Sequence, residues 1–443
     1  MPILTKEEAQ ALLKKVLSYS KADECQVILS GREGGNIRSA LNAVSTAGEV
    51  STLNLAVNAV YGKKTGTATI NEFDDASLEK VVRRAEELAQ LAPENPEYMP
   101  MLGPQNFQES IQYNAKTAAM TPETRADMVA KSLAVTKAAN LSAAGFLENT
   151  TGFSAVANSK GLFAYDKSTD VTFTVTTRNS AGTGSGYAAR GYTDVSKLDT
   201  GAATKVAAQK ALSSVGAKAI EPGKYTVILE PVAAAYMMEN MFRFDARSAE
   251  EGRSFLSKRG GGTRLGEKLM DEKVNIYSDP FNTELPADTW TAEGQKLEKT
   301  YWIQNGVVKN LSYSRYWAQK KGVQPVPGPS NIIMDGGNTS LEEMIKSTER
   351  GILVSRLWYI RMVDPQSLLL TGLTRDGTYY IENGKIMFPV KNFRFNESPV
   401  IMLNNVEALG KPERTISVES YRSYLIPPMK IRDFTFTSLS DAV

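Results

Sequence analysis

Tyr301-Trp302-Ile303-Gln304-Asn305-Gly306-Val307-Val308 and Tyr379-Tyr380-Ile381-Glu382-Asn383-Gly384-Lys385-Ile386 each set Asn-Gly between two apolar runs. Asn and Gly accept the positive φ of a type I′ turn, so each stretch predicts an antiparallel hairpin. Working outward, β-type runs prevail from Tyr225–Leu229 to the end of the chain. Two helices interrupt them. One is Ala- and Met-rich, at Val232–Phe242; the other spans Ser340–Glu349, with Ser340 as cap and Glu343 completing a capping box. Glu221-Pro222-Gly223 marks the boundary of this β-rich region.

Upstream of that boundary one order of elements is written twice. Thr5 and Glu8 box a first helix, strand-like runs follow at Cys25–Ser30, Ile37–Val44, Ser51–Tyr61 and Thr65–Ile70, and a helix covers Ser77–Leu91. Ala92-Pro93-Glu94-Asn95-Pro96 stops it and opens a Pro-punctuated linker. Then Thr121-Pro122-Glu123 starts a helix to about Asn140, runs come at Ser142–Asn149, Ser154–Asn158, Leu162–Thr177 and Gly186–Tyr192, and a helix spans Ser196–Val215. The expected fold class is therefore α+β in two domains: residues 1–220 with duplicated helix–antiparallel strands–helix units, and a β-rich domain at 221–443.

Composition excludes several chemistries. The 443 residues contain no histidine, and Cys25 is the only cysteine. Ser-His-Asp and Cys-His activation both need an imidazole base, and the usual zinc hydrolases need several His or Cys ligands. No catalytic residue, metal or cofactor is expected on these grounds. With 51 basic and 49 acidic residues well mixed, the net charge of +2 gives no reason to expect nucleic acid. One cysteine fits a reducing compartment, and neither a signal peptide nor a membrane-length apolar run is visible, so a cytoplasmic protein is expected.

Several blocks resemble the TldD/PmbA family, whose members are called modulators of DNA gyrase: Gly294–Leu311, Glu342–Val354, Val363-Asp364-Pro365, Ile381–Ile386 and Pro389-Val390-Lys391-Asn392. The resemblance is collinear over essentially the whole chain. It implies dimers of two-domain proteins. One branch, TldD, is a zinc metallopeptidase with His-Glu-x-x-x-His on a helix after the first C-terminal strand; the PmbA (TldE) branch lacks that motif. Here the corresponding place reads Glu230 through Phe244, which sets Glu239 and Phe244 at the histidine positions and Asn240 at the glutamate. The cysteine that completes the active branch's metal site is also missing, so these are degenerate metal-motif positions. The resemblance then implies a non-catalytic TldE-like protein that binds peptides or pairs with a TldD-like zinc peptidase or with itself. Two alternatives stay open: an enzyme with a histidine-free carboxylate site, and a homodimeric protein that binds a peptide or small ligand.

Other patterns weigh less. Glu239, Asp245, Glu250 and Glu251 are near enough in sequence to hold a hard cation, but acids beside Arg243, Arg247 and Arg253 more often coat a solvated helix face. Ser77-Leu78-Glu79-Lys80 and Lys64-Thr65-Gly66 match penicillin-recognising motifs in the wrong order and too close together. Arg259–Gly266 lacks a P-loop ending, yet Gly261 and Gly262 would let a peptide backbone approach. Trp317, Arg356, Trp358 and Arg361 join them as candidate binding residues, because Trp and Arg anchor recognition surfaces; core packing is the competing reading. Strand alternation puts Arg356, Trp358 and Ile360 on one face and Leu357, Tyr359 and Arg361 on the other.

Overall fold

The glycines between the Cys25–Ser30 and Ile37–Val44 runs lie inside one long strand in the computed structural model, which describes residues 3–417, 419–420 and 422–440. The runs at Cys25–Ser30 and Ile37–Val44 belong to a hairpin of β1 (Glu24–Ala40) and β2 (Ala43–Tyr61), followed by β3 (Lys64–Ile70). The second set fuses likewise into β4 (Ser142–Asn158), β5 (Phe163–Arg178) and β6 (Ser185–Tyr192). The physical reason is close packing. A Cβ on Gly31 would meet the Phe153 ring at 2.3 Å, and one on Gly34 would meet the Asn149 carbonyl at 2.3 Å. These glycines admit a neighbour and leave the strand unbroken.

The six strands form one antiparallel sheet in the order β3-β2-β1-β4-β5-β6. Because β1 pairs with β4, the two like units lie back to back in a continuous sheet. Helices α1 (Lys6–Tyr19) and α2 (Asp75–Leu91) pack with Val27, Leu29, Leu55 and Phe153 at one end. After a short α3 (Ala115–Ala118), α4 (Pro122–Ala138) and α5 (Thr200–Ser213) serve the other end, over Ile37, Leu147 and Phe173. Val27, Leu29 and Ile37 share one parity on β1, so both helix pairs cover the same face. The expected caps hold: Thr5 and Glu8 form a capping box, and Pro122 stands in the first turn of α4.

The second half is mostly strand. It begins with β7 (Gly223–Leu229), β8 (Ile276–Ser278), β9 (Thr300–Gln304), β10 (Val307–Val308) and β11 (Ile333–Met334). It continues through β12 (Arg350–Asp364), β13 (Leu369–Glu382), β14 (Lys385–Pro389), β15 (Phe393–Glu397) and β16 (Val406–Leu409), and ends on β17 (Glu413–Ile416), β18 (Ser423–Ile426) and β19 (Met429–Leu439). Strands β12-β7-β19-β15-β13 follow one another in a sheet, and β12 also pairs with β13, so this path closes on itself. The other sheet runs β10-β9-β8-β11-β18-β17. Both Asn-Gly pairs turn as expected: Asn305 and Gly306 have φ of 50° and 74° between β9 and β10, and Asn383 and Gly384 have 48° and 74° between β13 and β14. The fold class is α+β. Among the described residues no helix is long and apolar enough to cross a membrane.

Candidate functional site

Helix α6 (Pro231–Met238) follows β7, with Pro231 at its first position and no side-chain cap. Ala233 to Met238 are all buried, so the helix has no solvated face. The acids from Glu239 to Glu251 lie beyond its end. A single turn, Glu239–Met241, then delivers Glu239 and Asn240 into a cleft of about 1050 Å³ between the halves of the molecule. The N-terminal half contributes Gln112 and Asp170; the C-terminal half contributes Tyr236, Phe242, Arg243, Ile360, Arg361, Arg414, Arg422 and Tyr424.

Each acid facing this cleft already has a partner. Ser417 donates its hydroxyl to Glu239, and Glu419 receives Arg361 at 3.1 Å. Asp170 faces Arg414 at 3.5 Å, and Asp288 accepts from the Gln112 amide at 3.1 Å. Burial holds the Asp170 carboxyl above its ordinary range despite Arg414. Burial likewise pushes the Tyr424 and Tyr236 phenols up, reinforced by Glu239 beside the first and Glu419 beside the second, so both rings keep their protons.

The three degenerate motif positions do not stay together. Phe244 is buried and stacks on Trp302, with centroids 5.1 Å apart and planes 7° from parallel. Glu239, Asn240 and Phe244 thus offer one bonded carboxylate, one amide and one packed phenyl ring. That donor set does not fit zinc. Among the described residues no group of three His, Cys, Asp or Glu gathers to hold a metal. The other acids are spread out: Asp245 caps a helical turn through the Ser248 amide at 2.7 Å, Glu250 pairs with Lys321, and Glu251 with Arg247 and Arg253.

The candidate binding residues are scattered too. Arg361 lines the cleft, because irregular pairing between Trp358 and Arg361, with Tyr359 at φ 53°, breaks the strand alternation. Arg356 is buried, paired with Asp376 and laid over the Tyr187 ring at 3.8 Å. Trp358 is half-buried between Arg356 and Arg375 and packs on the core. Trp317 is a core residue covered by Arg247, Lys320 and Lys321. Gly261 and Gly262, at φ 113° and 84°, form an exposed turn. Sequence reasoning missed Asp170, Arg414, Arg422, Tyr236 and Tyr424. They come from β5, α6, β17, β18 and the connection between the last two, and no local pattern links them all.

Three protein-family models match the chain in succession: PmbA/TldA metallopeptidase domain 1 over 25–89, the central domain over 115–215 and the C-terminal domain over 222–438. A metalloprotease of Methanothermobacter thermautotrophicus is 24% identical over 225 residues, 46% of this chain and 47% of its own length. A metalloprotease PmbA homolog of Buchnera aphidicola is 24% identical over 215 residues, 46% of this chain and 45% of its own length. The chain therefore spans about half the length of the curated relatives it matches. Among solved structures, TldE from Thermococcus kodakarensis has a TM-score of 0.83 at 18% identity, covering 97% of this chain and 99% of that one. A proposed modulator of a DNA gyrase from Thermotoga maritima reaches 0.86 at 19% identity, covering 97% and 100%. At these identities the likeness is one of fold.

Proposed function

Because the chain belongs to the PmbA/TldD metallopeptidase family, we propose that it is a non-catalytic, TldE-like member that holds peptide segments in the cleft and pairs with a zinc-bearing TldD-like peptidase or with a second copy of itself. The observation that carries this reading is Phe244. Its phenyl ring is stacked on Trp302 in a chain without histidine, and among the described residues no group of three His, Cys, Asp or Glu gathers to hold a metal. The cleft persists with Glu239 and Asn240 in its wall, which favours retained binding over retained chemistry. In this reading residues 1–220 and 221–443 are the two domains, the setting is the cytoplasm, and no nucleic acid takes part.

We predict that the protein purified alone contains far less than one zinc per chain and shows no chelator-sensitive cleavage of unfolded peptide substrates. Elemental analysis beside a peptidase assay checks this. Stoichiometric zinc whose removal abolishes cleavage would overturn the reading.

A further inference from the structure

We propose that the cleft recognises its ligand through a carboxylate, with Arg243 and Arg422 as the receiving groups; this rests on reading the cleft as a peptide-binding site. Four arginines and four acids line the cleft, so its formal charge is balanced. Their pairing is not. Asp170, Glu239, Asp288 and Glu419 are each engaged, by Arg414, Ser417, Gln112 and Arg361. Arg243 and Arg422 are exposed, and among the described residues neither side chain has a hydrogen-bond or ion-pair partner.

The remaining unmet polar capacity points the same way. Arg414 Nε and the Ser330 hydroxyl, both on lining residues, are buried without a partner. The Tyr236 and Tyr424 phenols keep their protons and add no negative charge. A ligand ammonium would have to compete with donors already seated on every acid. A ligand carboxylate would meet two unoccupied guanidiniums, whose fork geometry matches it in a bidentate way. Phe242, Ile360 and Met362 offer apolar wall for the stem that carries it. Within a peptide, that carboxylate belongs either to an acidic side chain or to the chain's own C-terminus.

The test is fluorescence anisotropy of the full chain with labelled peptides of one parent sequence: neutral and amidated, Glu-bearing and amidated, neutral with a free C-terminus, and Lys-bearing and amidated. We expect at least one carboxylate form to bind about tenfold or more tighter than the neutral amide, and the form that gains identifies the source. R243Q/R422Q should abolish that gain while leaving the melting temperature unchanged, since both residues are exposed. R243E/R422E should move the preference to the Lys peptide. Equal affinity for all four peptides, or a carboxylate preference that survives R243Q/R422Q, overturns this proposal while leaving peptide binding in place. Absence of binding by every peptide would remove the peptide-binding reading and this proposal with it.

Discussion

Asp166 is a carboxylate that the fold takes out of water. It lies on β5, nearly buried, and accepts from the Thr289 amide at 3.1 Å and the Thr289 hydroxyl at 3.0 Å. Burial pushes its carboxyl up to about 6, only partly opposed by those bonds. The folded value exceeds the unfolded value of about 4, so between roughly pH 4 and 6 the native state binds more protons than the unfolded chain. Stability from this group is therefore highest below that window and falls as pH rises through it, by about 2–3 kcal/mol in total. We predict that Asp166→Asn, which keeps an acceptor oxygen and removes the charge, flattens this decline. Urea denaturation at pH 4 and pH 7 measures it; the same pH dependence in both proteins would show that Asp166 is not its source. The binding candidates teach a related lesson at this scale. Trp317 and Arg356 put their chemistry into the interior, against Arg247 and Asp376. Only Arg361 carries it into the cleft.

At the scale of elements, what was legible depended on the range of the forces involved. Caps and turns are decided within a few residues, so the Thr5 and Ser340 capping boxes and both Asn-Gly hairpins stood in the sequence much as they stand in the fold. Strand length in β1 is decided across the sheet, and there the glycines misled. Gly35 is a case in point: a Cβ on it would lie 2.2 Å from the Arg125 guanidinium carbon, because that side chain rests on the strand backbone. Arg125 is buried there and donates to Asn149 at 2.9 Å and Glu49 at 2.6 Å. Nothing near Gly35 in the sequence announces an arginine from α4. We predict that Gly35→Ala costs about 1–3 kcal/mol, because Arg125 must move and release the buried Asn149 and the exposed Glu49. On the facing strand Gly48→Ala should stay within about 0.5 kcal/mol, since the nearest atom to its added Cβ, Asn36 Nδ2, lies at 3.9 Å. Denaturant midpoints of the two variants give the comparison; equal midpoints would mean that Gly35 marks a flexible site and no packing contact. The same limit explains why the cleft was only partly visible: Glu239 and Asn240 come from one motif, whereas Asp170 and Arg414 meet across the whole fold.

At the scale of the whole molecule, the cleft exists only while the two halves hold their relative position, and several polar joints link them. Arg414 on β17 reaches β5 and its surroundings, facing Asp170 at 3.5 Å and donating to Thr193 at 3.2 Å. Lys210 on α5 pairs with Glu230 at the start of α6, the helix that carries Glu239 into the cleft. Ser185 donates to Asp376 at 2.7 Å, and Ser213 and Tyr379 share a hydrogen bond at 2.8 Å. Lys210 and Glu230 are both largely shielded from water, so removing Lys210 strands a poorly hydrated carboxylate at a cost of up to about 3–5 kcal/mol, whereas Asp170 is nearly half exposed and the loss of Arg414 costs less. Methionine retains the apolar stem of either side chain, which confines the change to the charge. The main apolar cores of the halves are separate, with the small cluster of Val156, Leu162, Ala164 and Trp290 bridging them, so weakening the joints should uncouple two folding units without melting either main core. We therefore predict one cooperative calorimetric transition for the native chain and two for Lys210→Met/Arg414→Met, the first at a lower temperature and accompanied by loss of peptide binding. A single transition at an unchanged temperature would mean that apolar contact alone couples the halves, and the cleft would then be rigid without its ion pairs.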